Sequence, residues 1–261
     1  MLFDFAILLY LISFLCVGFN IFLHGEKYLK LANIFAVIAV LVNLSHILLR
    51  WWQLSAFPAN DMKDIFAMII FFIGLIAIYL SFKMKKANIY IFIMPIIVIL
   101  GFVAFAHSAI IIRKTLSSFW LMVHLPFTIF GTALFFVSAL FGILYFLQEI
   151  QIKKKHFGFL YNILPSIDLL NRINQDAMLS GFMLFTMGLL SGFIWGIYEW
   201  KGIIIMTPKL IFSIITWVIF GIIILIKKIK GMTPRNTALA SILGIISLII
   251  TYVGVALFIK G

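Results

Sequence analysis

Long apolar runs alternate with short polar connections along almost the whole chain. Each run is close to the roughly 20 residues that an α-helix needs to cross a bilayer. The eight runs lie near residues 3–23, 31–52, 65–82, 87–107, 119–148, 177–198, 208–226 and 237–259. This pattern predicts an all-α polytopic membrane protein with eight transmembrane helices. We expect them to form a single membrane domain over residues 1–261.

One segment, HFGFLYNILPSIDLLNRINQD at 156–176, is too polar to cross the membrane. Its apolar residues recur at helical spacing on both sides of Pro165. We expect short amphipathic helices that lie along the inner surface and are separated at Pro165. The fifth run, 119–148, is long, so its helix is expected to tilt or to extend into the cytoplasm.

Lysine clusters follow every odd-numbered run. They are Lys27 and Lys30, then Lys83, Lys85 and Lys86, then Lys153, Lys154 and Lys155, then Lys227, Lys228 and Lys230. Cytoplasmic loops carry an excess of basic residues, so these four loops are assigned to the cytoplasm. Both termini then lie on the outer side. We predict a multi-pass protein of the cell's inner (plasma) membrane.

Composition agrees with this assignment. The chain is 65% hydrophobic and 11% charged, with a mean hydropathy of +1.23, and a soluble domain could not keep that much apolar surface from water. The net charge of +12 is explained by the loop lysines, so we expect the lipid bilayer and not nucleic acid as a partner. The single cysteine, Cys16, cannot form an intrachain disulfide.

All six tryptophans fall in the predicted outer half of the membrane: Trp51, Trp52, Trp120, Trp195, Trp200 and Trp217. An ordinary interfacial belt would populate both faces. The alternative is an aromatic site for a large planar ligand, walled by Trp120, Trp195, Trp200 and Trp217. The pattern leaves both interpretations open.

Two histidines lie at matching predicted depth. His46 is six residues before Trp52, and His124 is five residues after Phe119. At about 1.5 Å per residue, both rings lie about 8–9 Å below the outer ends of their helices. An ionisable side chain inside the membrane is a functional candidate, although a neutral imidazole bonded to a neighbouring helix is the competing interpretation. His107 lies nearer the surface, and its participation stays open.

Imidazole is an axial ligand of haem iron, and haem is flat, large and mostly apolar. Arg50 and Lys209 are suitably placed to contact its propionates. Zinc is less favoured, because no cluster of cysteine, histidine and carboxylate side chains provides converging ligands. No nucleophile or acid–base pair is evident, so we expect an accessory protein and not an enzyme.

These residues resemble the cytochrome c assembly family, the CcsA, CcmC and HemX-like haem-handling membrane proteins. The resemblance covers residues 117–256. Residues 119–148 begin with a Trp-Leu-x-x-His pattern like that of the family, which places His124 on the family's external haem-ligand histidine. The following segments LPSIDLLNRI (164–173), GFMLFTMGLLSGFIWG (181–196) and TPRNTALASILGIISLIITYVGV (233–255) are similar to later family elements.

The family's tryptophan-rich signature, W-G-x-Y-W-x-W-D-P-K-E, falls on WKGIIIMTPKL at 200–210. Trp200, Pro208 and Lys209 match it, and Trp217 matches a further family tryptophan. The inner tryptophans are replaced by Ile204 and Met206. This degenerate signature is similar to that of a shorter, eight-span HemX-like branch whose termini both face outside.

The resemblance implies a haem-binding or haem-handling accessory in cytochrome c biogenesis or haem metabolism. Other cytochrome c assembly or haem-pathway membrane proteins are its implied partners. His124 would be an axial ligand, and His46 a second ligand or a neighbour. The alternative is a non-haem scaffold that binds and regulates partner membrane proteins. The altered signature favours this alternative, as does the smooth face that Gly188, Gly192 and Gly196 form for close helix packing. Fold-level similarity alone does not choose between them.

Overall fold

The structure is a computed structural model that describes residues 1–23, 25–55, 57–59, 61–84, 89–106, 119–155, 157–199 and 208–260. The elements in these ranges are all α-helices. They are α1 (Leu2–Leu23), α2 (Glu26–Leu54), α3 (Met62–Met84), α4 (Tyr90–Ala106), α5 (Phe119–Lys153), α6 (Phe159–Ile163), α7 (Ile167–Glu199), α8 (Pro208–Lys230) and α9 (Pro234–Lys260).

The helices confirm an all-α polytopic membrane protein. Within the described ranges, six helices are long and apolar enough to span a bilayer: α1, α2, α3, α5, α7 and α8. Two shorter apolar helices, α4 and residues 234–249 of α9, coincide with the remaining apolar runs. The count of eight spans and the side on which the termini lie stay predictions.

Two helices are much longer than a membrane crossing requires. α5 has 35 residues and α7 has 33, which at 1.5 Å per residue gives each a length of about 50 Å. The hydrocarbon core is only about 30 Å thick. Both helices therefore have the length to continue beyond the bilayer, as expected for the fifth run.

The polar segment before α7 differs in part from the expectation of separate surface helices. α6 is a five-residue helix, and the chain is extended at Leu164, so the predicted break at Pro165 is confirmed. From Ile167 onward, however, the chain enters α7 and continues as one helix into the apolar run. Asn174 explains the difference, because its side chain is fully buried and bonded to other helices instead of facing the surface.

The contacts of the chain divide it into two compact units, Met1–Ser117 (unit 1) and Ser118–Gly261 (unit 2). Unit 1 contains α1 to α4, and unit 2 contains α5 to α9. The expectation of a single membrane domain stays a prediction.

Small residues let the first two helices of unit 1 pack closely. Ala32, Ala36 and Ala39 of α2 are fully buried, and Ser13 of α1 donates a 2.9 Å hydrogen bond to the carbonyl of Ala32. Asn43, also on α2, donates its side-chain amide to the carbonyl of Ala67 on α3 at 3.0 Å. Hydrogen bonds between helices satisfy polar groups that lipid could not.

The core of unit 2 is built on the packing of α5 against α7. A Cβ at Gly131 would lie 2.8 Å from the backbone nitrogen of Phe185 and 2.9 Å from the carbonyl oxygen of Gly181, so the two backbones approach too closely for a side chain. Beside this crossing, the rings of Phe135 and Phe220 stack with their centroids 3.8 Å apart. The close crossing fixes the surface that α7 presents to α5.

A buried asparagine joins three helices of the same core. The Asn174 side-chain amide donates to the carbonyl of Ser138 and to the hydroxyl of Ser241, at 2.7 Å each. Ser138 in turn donates its hydroxyl to the backbone carbonyl of Asn174 at 2.9 Å. α7 is therefore held by polar contacts to both α5 and α9.

Candidate functional site

The His124 ring lies against the backbone of α7. Its Nδ1 is 2.6 Å from the carbonyl oxygen of Gly188. A carbonyl can only accept, so Nδ1 carries the proton, and in the neutral ring Nε2 keeps its lone pair. Histidines that bind metals almost always donate their second ring N–H to a carbonyl or carboxylate in this way. The ring is in the tautomer that a metal ligand at Nε2 requires.

Thr128, one turn further along α5, contacts both the backbone and the ring of His124. Its hydroxyl donates a 2.6 Å hydrogen bond to the His124 carbonyl and lies 3.3 Å from Nδ1. Sequence reasoning did not single out Thr128. The i+4 spacing from an intramembrane histidine was the signal that could have indicated it, because residues at this spacing share a helix face.

Glycines on α7 leave the space that the ring occupies. A Cβ at Gly192 would lie 2.6 Å from Nδ1 of His124 and 2.7 Å from its Cε1. At Gly188, a Cβ would collide with the Thr128 hydroxyl and lie 2.8 Å from the Thr128 backbone nitrogen. The predicted packing role is therefore confirmed for Gly188 and Gly192, and Gly196 is also buried.

Two of the predicted wall tryptophans share helix faces with these residues. Trp120 is four residues before His124 on α5, and Trp195 is three residues after Gly192 on α7, so each lies about one turn away on the same side of its helix. Both are half-buried. Trp120 also packs edge-on against Phe119, with ring centroids 5.7 Å apart.

Trp217 is partly buried and packs against the hydrophobic core of unit 2. Its indole nitrogen donates a 2.9 Å hydrogen bond to the Thr186 hydroxyl, and its ring stacks on Phe182 with centroids 5.8 Å apart. These contacts give Trp217 a structural role within unit 2. That it also forms part of the wall of a ligand site stays a prediction.

Several predicted residues fall outside the described part of the chain. They are Trp200, His107, Lys85 and Lys86. Lys209 lies in the first turn of α8, but its side chain is outside the described part as well. Its contact with a propionate stays a prediction.

His46 lies in unit 1, on α2. Its ring packs against Phe3 of α1 with centroids 5.7 Å apart. Its Nε2 is buried and makes no hydrogen bond to any described residue. Buried polar atoms without partners are rare in folded proteins, so this nitrogen is a candidate ligand atom. That His46 is a second ligand of the group bound by His124, or a neighbour of it, stays a prediction.

Arg50, the other predicted propionate contact, is paired with carboxylates of unit 1. Its guanidinium donates to both carboxylate oxygens of Asp64, at 2.8 and 3.0 Å, and to Asp61 at 3.2 Å. The Asp64 side chain is only 2% exposed. A propionate would have to share Arg50 with this buried carboxylate. The sequence interpretation missed both aspartates, which lie at the start of α3.

Comparison with known proteins identifies the family of the chain that carries these residues. The family described as "Cytochrome C assembly protein" matches residues 4–261. The chain belongs to this family. The match includes α1 to α4 and so reaches further than the predicted region 117–256.

Similar curated proteins are named cytochrome c biogenesis protein CcsA. That of Prochlorococcus marinus (strain NATL2A) is 23% identical, covering 97% of this chain and 90% of the relative. That of Vitis vinifera is 25% identical, covering 87% and 81%, and that of Guillardia theta is 24% identical, covering 91% and 88%. Assignment to the HemX-like branch stays a prediction.

Proposed function

We propose that this protein binds haem within the membrane and acts as an accessory in cytochrome c biogenesis, with Nε2 of His124 as an axial ligand of the iron. The observation that carries the proposal is the 2.6 Å contact between Nδ1 of His124 and the Gly188 carbonyl. This contact fixes the tautomer and raises the basicity of Nε2. The family membership and the names of its relatives support the same conclusion.

The residues around His124 fit a flat apolar group. Trp120 and Trp195 offer aromatic surface on the same helix faces, and Trp200 and Trp217 complete the proposed wall. When bound, haem supplies an iron that accepts a nitrogen ligand and carries an electron. The chain's own part is to orient the imidazole through Thr128 and the α7 backbone.

Three further residues have proposed roles in binding haem. His46 is the candidate for a second axial ligand, because its buried Nε2 has no hydrogen-bond partner among the described residues. Lys209 and Arg50 are the propionate contacts that we propose. For Arg50 this requires a propionate to join the existing pair with Asp64.

The proposed setting is the inner (plasma) membrane, with both termini on the outer side and with other cytochrome c assembly or haem-pathway membrane proteins as partners. The role is non-enzymatic. We propose that the chain belongs to a HemX-like branch that handles haem without presenting it to an apocytochrome, and the replaced tryptophans of the signature support this assignment.

The visible spectrum of the purified protein, before and after addition of haem, tests this proposal. We expect a Soret band from the wild type and its loss or displacement in His124→Ala. Val123→Ala, a neighbour on the same helix, is the matched control and should keep the wild-type spectrum. Wild-type protein without a Soret band in either state would refute haem binding, and a pigment-free protein with a stoichiometric membrane partner would support the scaffold alternative.

A further inference from the structure

The carbonyl of Gly188 lies within hydrogen-bond reach of two side-chain donors. One is Nδ1–H of His124 at 2.6 Å. The other is the hydroxyl of Ser191, whose Oγ lies 2.9 Å from the Gly188 oxygen and 2.8 Å from the Met187 oxygen. A serine hydroxyl has one proton to share between these two carbonyls. Ser191 is only 5% exposed, so water cannot readily replace it.

We propose that Ser191 and Gly192 are positioning residues for His124. Ser191 sets how strongly the Gly188 carbonyl accepts the proton of Nδ1, and Gly192 leaves the space in which the ring can reach that carbonyl. The inference deepens the proposed haem ligation and rests on it for its consequence at the iron. The placement of the imidazole itself does not require haem.

The effect of Ser191 is electronic. Two donors on one carbonyl weaken each other, because each draws on the same oxygen charge. Replacing Ser191 by alanine removes one donor, so the hydrogen bond from Nδ1–H should strengthen. A stronger bond at Nδ1 makes Nε2 more basic and a better electron donor to a metal.

The effect of Gly192 is steric. A Cβ there would lie 2.6 Å from Nδ1 and 2.7 Å from Cε1, closer than real Cβ contacts. The obstacle for this Cβ is the His124 ring itself and not a backbone. In Gly192→Ala the ring must therefore move away, and the bond from Nδ1–H to the Gly188 carbonyl must lengthen or break.

Nitrogen NMR of histidine-labelled protein without haem tests the placement directly. The chain has five histidines, so the His124 signals can be assigned by their loss in His124→Gln. We expect the wild-type ring to carry its proton on Nδ1. Ser191→Ala should shift the Nδ1–H proton signal downfield, as a stronger hydrogen bond does, and Gly192→Ala should move it upfield or mix the two tautomers.

Gly18→Ala is the matched control for the glycine substitution, because no atom lies within 4 Å of a Cβ at that position. It should leave the His124 signals unchanged. A wild-type ring protonated on Nε2, or signals that move in neither variant, would overturn the inference. If Gly192→Ala does not fold, Ser191→Ala carries the test, because it removes only a hydroxyl group.

The midpoint potential of the haem-loaded protein tests the effect of Ser191 on the iron separately from the placement of the His124 ring. A more basic Nε2 favours the ferric iron, so Ser191→Ala should have a lower midpoint potential than the wild type. Ser45→Ala, which removes an exposed hydroxyl bonded to the Leu41 carbonyl, should leave the potential unchanged. If the wild type takes up no haem, the proposed function fails, whereas the NMR result still decides the placement of His124. If haem binds and the potential of Ser191→Ala equals that of the wild type, the effect of Ser191 on the iron is refuted.

Discussion

The ion pair between Arg50 and Asp64 offers a quantitative test of unit 1. Asp64 receives two hydrogen bonds from Arg50, at 2.8 and 3.0 Å, and its side chain is 2% exposed. Asp61 receives one bond at 3.2 Å, and its side chain is 21% exposed. Asp61 also accepts the backbone N–H of Asp64 at 2.6 Å, as a helix cap does. The two aspartates therefore differ in burial and in pairing.

The expected loss of stability follows from this difference. Removing one partner of a buried ion pair costs about 3–5 kcal/mol, because the remaining charge is left uncompensated. The Arg50 side chain is 27% exposed, and solvent screening moves the expected cost of Asp64→Asn toward the lower end, about 3 kcal/mol. Asp61→Asn loses a partly exposed ion pair, about 1 kcal/mol or less, and asparagine can still cap the helix.

Equilibrium unfolding in mixed detergent micelles, followed by circular dichroism, measures both variants. A double-mutant cycle with Arg50→Leu and Asp64→Leu isolates the interaction between the two side chains. We expect Asp64→Asn to lower the free energy of unfolding clearly more than Asp61→Asn does. Equal losses in the two variants, or a coupling energy near zero, would refute the assignment of Asp64 as the main partner of Arg50.

Two further substitutions test the core of unit 2. Asn174→Ala removes two hydrogen bonds that join three helices and should lower the free energy of unfolding by about 1–3 kcal/mol; an unchanged unfolding midpoint would show that these bonds contribute nothing. Gly131→Ala places a Cβ 2.8 Å from the backbone nitrogen of Phe185 and should cost about 1–3 kcal/mol through overpacking. Gly18→Ala, which meets no neighbour, should instead be neutral or gain up to about 1 kcal/mol from helix propensity. Equal stability of the two glycine variants would contradict the close crossing of α5 and α7.

The helices were predictable because a bilayer imposes one length on every crossing. Each of the eight apolar runs corresponds to a helix or to a described part of one. The break near Pro165 was also predictable, because a proline disrupts a helix through its own ring and its missing N–H, without contacts to distant residues. The continuous course of α7 was not, because the residues that bury Asn174 lie 36 and 67 positions away in the chain.

The candidate site was predictable only in part. His124 was indicated by its depth in an apolar run, and Gly188 and Gly192 by their spacing. Their contact was not, because His124 and the carbonyl of Gly188 are 64 positions apart. Every residue also has a backbone carbonyl, so residue identity does not show which carbonyl a histidine contacts. The ion pair of Arg50 with Asp64 was not predictable either, because the two residues are 14 positions apart in the chain.

Chemical rescue of His124→Gly tests the central claim most directly. The variant, loaded with haem in detergent, is followed by visible spectroscopy while free imidazole is added, and Val123→Gly controls for the backbone effect of a glycine in α5. If Nε2 of His124 is the axial ligand, the variant loses the wild-type Soret band and imidazole restores it, whereas the control keeps the band throughout. A wild-type spectrum from His124→Gly without imidazole would contradict the account.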